Sequence, residues 1–147
     1  MTREIRRRGA NRPKQQEHQE SRQEGQSLVE MAIAFPILLL LVAAVVDFAR
    51  VLDASIVLTN AVREGARFGS KDASLTQADI QNIVVGDVVG SGTNITQMAD
   101  FDASHVTVTA GTDDVTVLAT YDFELWFGGV VGMNTVRLER EAVMPRF

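Results

Sequence analysis

Glu30 is the residue whose chemistry first asks for a cause. It is the one acid in residues 28–46, a nineteen-residue stretch that is otherwise apolar apart from Pro36. A carboxylate beside hydrocarbon is costly unless it is neutralised or held at the membrane interface. Two kinds of chemistry suit it: pairing with a cation, or sitting in the headgroup layer at a helix start, where the helix dipole slightly favours a negative charge. A second polar group, Asn60, Arg63, Glu64 and Arg67, recurs at three- and four-residue spacings, which places its members on adjoining turns of a helix. That pattern serves either a solvated face with weak local ion pairs or a docking face for a folded cap or a partner. Gly65 beside it costs about 1 kcal/mol relative to alanine in a helix and points to a close backbone approach.

Catalytic and metal chemistry find little support. With no cysteine in the chain, disulfides and thiolate metal sites are excluded. His105 is the only histidine after residue 25, too few for a transition-metal site, and a Ser-His-Asp assignment with Ser104 or Asp102 would rest on sequence neighbours rather than geometry. Asp113-Asp114 fits a turn whose aspartates satisfy backbone donors. It supplies too few ligands for calcium. Gly128, Gly129 and Gly132 lack the strand-loop-helix frame and lysine of a phosphate loop. Asn94-Ile95-Thr96 matches a glycosylation sequon, a pattern short enough to arise by chance. No cofactor, metal or enzymatic activity is expected.

The elements around these residues divide the chain into three. Residues 1–25 carry seven Lys/Arg against four acids and the remaining residues seven against fifteen, giving the total of 14 against 19. The basic leader is dominated by Gln, Glu and Arg and has too little apolar surface to offset ordering entropy, so disorder is expected there. Arg6-Arg7-Arg8 suits the cytoplasmic side of a membrane. Scattered cations in an acidic body speak against nucleic acid as a partner. As a helix, residues 28–46 would span roughly 28 Å, enough to cross a bilayer, with a mild kink at Pro36. From Phe48 to Ala66 the apolar residues fall on one side only, so the membrane helix continues as an amphipathic one, the whole occupying residues 26–69.

Residues 70–147 read as an exported cap. A second helix opens near Leu75 with Thr76 or Ser74 as N-cap, shows Ile80, Ile83, Val84 and Val88 on one face and ends at Gly90-Ser91-Gly92. Val106, Val108 and Ala110 alternate with polar residues, turn at residues 111–114 and return through Val115, Val117, Ala119, Tyr121 and Phe123. After the glycine-rich break, residues 136–143 suggest a third strand. The expected fold is α+β: a long N-terminal transmembrane and amphipathic helix, then a small cap with an antiparallel sheet of about three strands, one face covered by the long helix.

Several blocks carry a resemblance to a known family. Gly25-Gln26-Ser27-Leu28-Val29-Glu30 resembles a prepilin peptidase site, in which a basic leader ends in glycine, the cut follows it and the fifth residue of the mature chain is glutamate. With Phe35-Pro36 and the leucines after it, Asp47-Phe48-Ala49-Arg50, and Thr59-Asn60-Ala61-Val62-Arg63-Glu64-Gly65-Ala66-Arg67-Phe68, it looks like the TadE family of Flp/Tad pilus biogenesis proteins over about residues 25–70. Met31 departs from the pattern, standing where prepilins of this class often have an aromatic residue. The resemblance implies a minor pilin or pseudopilin of the inner membrane, with its leader cytoplasmic and its cap outside. It implies processing between Gly25 and Gln26 by a prepilin peptidase, and other pilins, the assembly machinery and membrane lipid as partners. A cut there would create an α-amino group on Gln26, mostly protonated at neutral pH with a reference pKa near 8, four residues before Glu30. Ammonium and carboxylate would then neutralise one another, within a chain or between subunits. The alternatives are an uncleaved single-pass protein with an extracytoplasmic binding or sensory domain, and an envelope hydrolase using His105.

Overall fold

The computed structural model describes residues 14–91, 98–130 and 132–146. Residues 1–13, with Arg6, Arg7 and Arg8, and the Asn94-Ile95-Thr96 sequon lie outside the described residues. The chain divides into two compact units, Met1–Val42 and Ala43–Phe147. One helix, α1 (Lys14–Lys71), contributes to both. It starts at Lys14 and not at Gln26, so residues 14–25, whose composition argues for disorder, lie in the helix. Gln, Glu, Lys and Arg are strong helix formers, and adding residues to an existing helix avoids the nucleation cost that a separate segment would meet.

In the first unit every described side chain from Gly25 to Val42 is exposed, among them Leu28, Phe35 and Leu41. Pro36 lies inside the helix. The segment is long and apolar enough to cross a membrane, and an exposed run that is apolar all round calls for lipid or a protein partner to cover it.

In the second unit the apolar face of α1 enters the core. Ala54, Val57, Leu58, Ala61, Val62 and Ala66 are buried, and they recur at three- and four-residue steps as a one-sided helix requires. A second helix, α2 (Gln77–Gly90), is started by a capping box: the Thr76 hydroxyl accepts from the Asp79 N–H at 3.2 Å, and the Thr76 N–H donates to the Asp79 carboxylate at 2.9 Å. The Thr76 hydroxyl also donates to Asp79 Oδ2 at 2.6 Å, and this bond first, then the one from the Thr76 N–H, holds the Asp79 carboxyl below its usual range. Ile80, Val84 and Val88 form its buried face; Ile83, expected with them, is half-buried.

Three strands follow, β1 (Val106–Ala110), β2 (Asp114–Glu124) and β3 (Thr135–Pro145), paired antiparallel in the order β1-β2-β3. The register sets Val108 opposite Val117, Val117 opposite Ala142 and Tyr121 opposite Leu138. Because side chains alternate between the faces of a strand, this puts Val106, Val108, Val115, Val117, Ala119, Tyr121, Phe123, Leu138 and Ala142 on one buried face, in one core with α1 and α2. The α+β class, the second helix and the three antiparallel strands are as the sequence predicts.

Gly65 explains how α1 and α2 come so close. A Cβ built there would lie 2.5 Å from Val84 Cγ2 and 3.6 Å from Ile80 Cγ2, and one at Gly69 would lie 2.7 Å from Ile80 Cδ1. The helix-breaking tendency of glycine is offset by backbone-to-side-chain packing that any larger residue would prevent.

Candidate functional site

The junction residues lie on the surface of the first unit. Gly25, Gln26 and Glu30 are exposed, and nothing stands within 4 Å of a Cβ placed on Gly25. One helical turn joins the other two: Gln26 Nε2 donates to Glu30 Oε1 at 3.2 Å. The side chain of Gln26 therefore reaches the Glu30 carboxylate. The Gly25–Gln26 peptide itself is helical. An exposed turn centred on glycine is a weak part of a helix.

In the second unit a polar site appears at a block, Asp47-Phe48-Ala49-Arg50, to which the sequence assigns no role of its own. Asp47, the first residue after the apolar run, is only 6% exposed. Its carboxylate takes the backbone N–H groups of the segment leaving β2: Oδ1 accepts from Trp126 at 3.0 Å and Oδ2 from Phe127 at 2.8 Å. Oδ1 also accepts from Arg50 Nη1 at 3.2 Å, one turn along α1. Arg50 extends the connection. Its Nη1 donates to the carbonyl of Glu124 at 3.3 Å, and its guanidinium carbon lies 3.8 Å from the centre of the Trp126 ring and 4.9 Å from that of Phe123. A planar, weakly hydrated cation suits both the carboxylate and the aromatic faces. Asp47 and Arg50 thus fasten the end of β2 and the loop after it to the helix at the point where the helix stops being apolar all round.

The signal for this site was present as an acid and an arginine three residues apart directly after the apolar run. Its function could not be read because the acceptor's partners are backbone amides some eighty positions away.

The expected docking face is distributed differently from the core stripe. Asn60 and Arg63 are exposed, while Glu64 and Arg67 are half-buried and joined to each other through two guanidinium nitrogens, Nη2 donating to Glu64 Oε1 and Nε to Glu64 Oε2 at 2.8 Å. Of the pairs that the spacing allows, the formed one is Glu64 with Arg67 at three residues. The guanidinium also lies 4.6 Å from the ring centre of Phe68. The cap docks on the neighbouring stripe of Ala61, Gly65 and Ala66, which leaves Asn60 and Arg63 facing outward.

His105 closes a short 3₁₀ turn, Ala103–His105. Its Nδ1 lies 3.1 Å from Asp102 Oδ1, and its ring stacks on Phe101 at 5.2 Å and tilts against Tyr121 at 5.4 Å. The Ser104 hydroxyl donates to Asp102, not to His105, so the neighbouring Ser, His and Asp form a capped turn rather than a relay. That serine, by side chain first and then backbone, holds the Asp102 carboxyl below its usual range. Among the described residues no group of three metal-ligating side chains is assembled. Gly128 accepts no side chain, since a Cβ there would overlap the Met133 carbonyl, and Gly132 turns the chain at φ +80°. These glycines shape the loop.

Residues 25–67 match the family model described as TadE-like protein. The TadE-like segment begins at Gly25 and ends at Arg67, so it contains the junction, the apolar run, the Asp47-Arg50 pair and the Asn60–Arg67 turns of α1, and none of α2 or the sheet. No curated protein and no solved structure matches the chain.

Proposed function

We propose that this chain is a membrane-anchored, TadE-like minor pilin or pseudopilin that assists assembly of a Flp/Tad-type pilus. Residues 1–25 face the cytoplasm, α1 crosses the inner membrane, and the α+β cap lies outside it. A prepilin peptidase cuts between Gly25 and Gln26, and the chain then meets other pilins and the assembly machinery as a structural component rather than an enzyme. One observation carries this: the TadE-like match starts at Gly25, the residue that precedes the proposed cut, and Gln26 touches Glu30 at the head of an exposed run long enough to span a bilayer. Basic residues in the leader support the orientation.

In the processed form the ammonium on Gln26 would replace an exposed amide as the partner of Glu30, and the pair would set the depth and register of the helix among its neighbours. Intact-mass measurement of the membrane form tests the processing. Loss of residues 1–25 is expected, and Gly25→Ala should leave the chain uncut. Glu30→Ala should keep the cut and impair assembly; normal assembly and localisation of that variant would remove the pairing role.

The uncleaved single-pass anchor keeps one observation in its favour, since α1 runs through the Gly25–Gln26 bond without a break. A full-length mass in the membrane fraction would decide for it.

A further inference from the structure

Residues 125–134 contain no charged side chain in a body that is otherwise net acidic. Leu125 packs against the core, but four large apolar groups of this stretch are exposed: Trp126 at 66%, Val130 at 69%, Met133 at 59%, and Phe127 beside them. Single exposed hydrophobics need no cause, but a charge-free loop that displays four of them does. What covers them follows from where the loop is tied. Asp47 takes the Trp126 and Phe127 amides at 3.0 and 2.8 Å, and Asp47 is the residue immediately after the apolar run. One residue of helix advances about 1.5 Å. The headgroup layer beyond the hydrocarbon is about 5–8 Å thick on each side. If the run fills the hydrocarbon, the loop's first residues therefore lie within that layer. Exposed Phe48, next along α1, extends the apolar surface past the run on the helix itself.

We infer that the loop is a second membrane contact: Trp126, Phe127, Val130 and Met133 insert into the interfacial layer of the leaflet beside the cap, with lipid as their partner. The chemistry is that of an interfacial aromatic anchor. Trp126 places its ring among acyl carbonyls, Val130 and Met133 bury methyl groups, and Arg50, stacked on the indole, keeps its charge on the Asp47 carboxylate rather than in hydrocarbon. Two attachments, the helix and the loop, restrict the tilt of the cap over the membrane. The inference rests on α1 crossing a membrane and is independent of filament assembly.

Trp126 is the only tryptophan in the chain, so its emission reports the loop alone. The full chain is reconstituted into phosphatidylcholine vesicles that carry bromines either near the acyl carbonyls or near the chain ends. The expected result is a larger loss of emission from the shallow bromines than from the deep ones, little quenching by aqueous iodide, and a blue-shifted maximum. Val130→Asp should shift the maximum to the red and raise iodide quenching with the circular dichroism unchanged. The depth order in the wild-type chain decides the matter even if that variant folds poorly. Strong iodide quenching with no bromolipid effect would overturn the inference. So would deep bromines quenching more than shallow ones, or protection that depends on the protein-to-lipid ratio without any bromolipid effect, which would put a second copy of the chain over the loop.

Discussion

Replacing Asp47 by alanine should detach the loop between β2 and β3 from α1 while leaving the sheet paired. The carboxylate holds three donors, the amides of Trp126 and Phe127 and Nη1 of Arg50, at 6% exposure. A hydrogen bond to a charged group contributes about 1.5–3 kcal/mol, and breaking a buried ion pair by removing one member costs about 3–5 kcal/mol because the other charge is stranded. The two figures describe overlapping interactions and do not add. Trp126 and Phe127 are themselves exposed, so their freed amides can turn to water, whereas Arg50, with 10% of its side chain exposed, has only the Glu124 carbonyl and two ring faces left. A loss of about 2–4 kcal/mol follows, most of it from Arg50. Urea unfolding of the full chain in detergent, followed by Trp126 emission and by circular dichroism, measures it. Hydrogen exchange at the Trp126 and Phe127 amides locates it, with both losing protection while the β2–β3 ladder keeps its own. In a double-mutant cycle Asp47→Ala with Arg50→Ala should cost less than the sum of the single changes. An Asp47→Ala chain within about 0.5 kcal/mol of wild type, with both amides still protected, would refute the account.

Gly65→Ala should destabilise the second unit despite a helix preference of about 1 kcal/mol for alanine. The added Cβ would stand 2.5 Å from Val84 Cγ2, and overpacking of this kind costs about 1–3 kcal/mol; Val84→Ala in the same chain should recover part of the loss, and a raised unfolding midpoint for Gly65→Ala alone would contradict the close approach. Tyr121 gives the pH dependence. Burial, and then its hydrogen bond to Asp100 at 2.5 Å, push its phenol well above the usual 10.0. The folded state thus favours the neutral phenol, and that stability is intact below about pH 10, where the unfolded chain titrates, and is lost as pH climbs from there toward the folded value. With a single tyrosine in the chain, absorbance at the tyrosinate band should rise late and together with unfolding; a titration at or below the ordinary value with the fold intact would contradict it.

Local signals were enough for the elements of the second unit. Thr76, one of the two N-caps the sequence offers, starts α2, the alternation from Val115 to Phe123 spells a half-buried strand, and residues 111–114 spell the turn that joins it to β1. Each is written within a few residues, so periodicity and cap chemistry sufficed to predict it. The start of α1 was not legible in the same way, because a polar sequence of good helix formers is disordered alone and helical when it continues a formed helix. The Asp47 site was hidden for a different reason. Its donors belong to Trp126 and Phe127, and a backbone N–H is the same at every residue, so nothing in the sequence at either end names the other.

That anonymity has a structural use. The TadE-like match ends at Arg67, yet two of the contacts that fix the cap on α1 start inside it: Asp47 toward the β2–β3 loop, and Gly65 toward Ile80 and Val84 of α2. On the cap side these contacts ask only for two adjacent backbone amides and for methyl groups at van der Waals distance. The matched helix thus carries the specific half of the Asp47 contact, whose other half, being backbone, tolerates changes of side chain. The expected outcome is that Trp126→Ala with Phe127→Ala, which removes both side chains and keeps both amides, leaves those amides protected from exchange and the Asp47 attachment in place. Loss of protection in that double variant would mean that the Arg50 stack on Trp126, and not the carboxylate, holds the loop, and the division between a specifying helix and a permissive cap would fall with it.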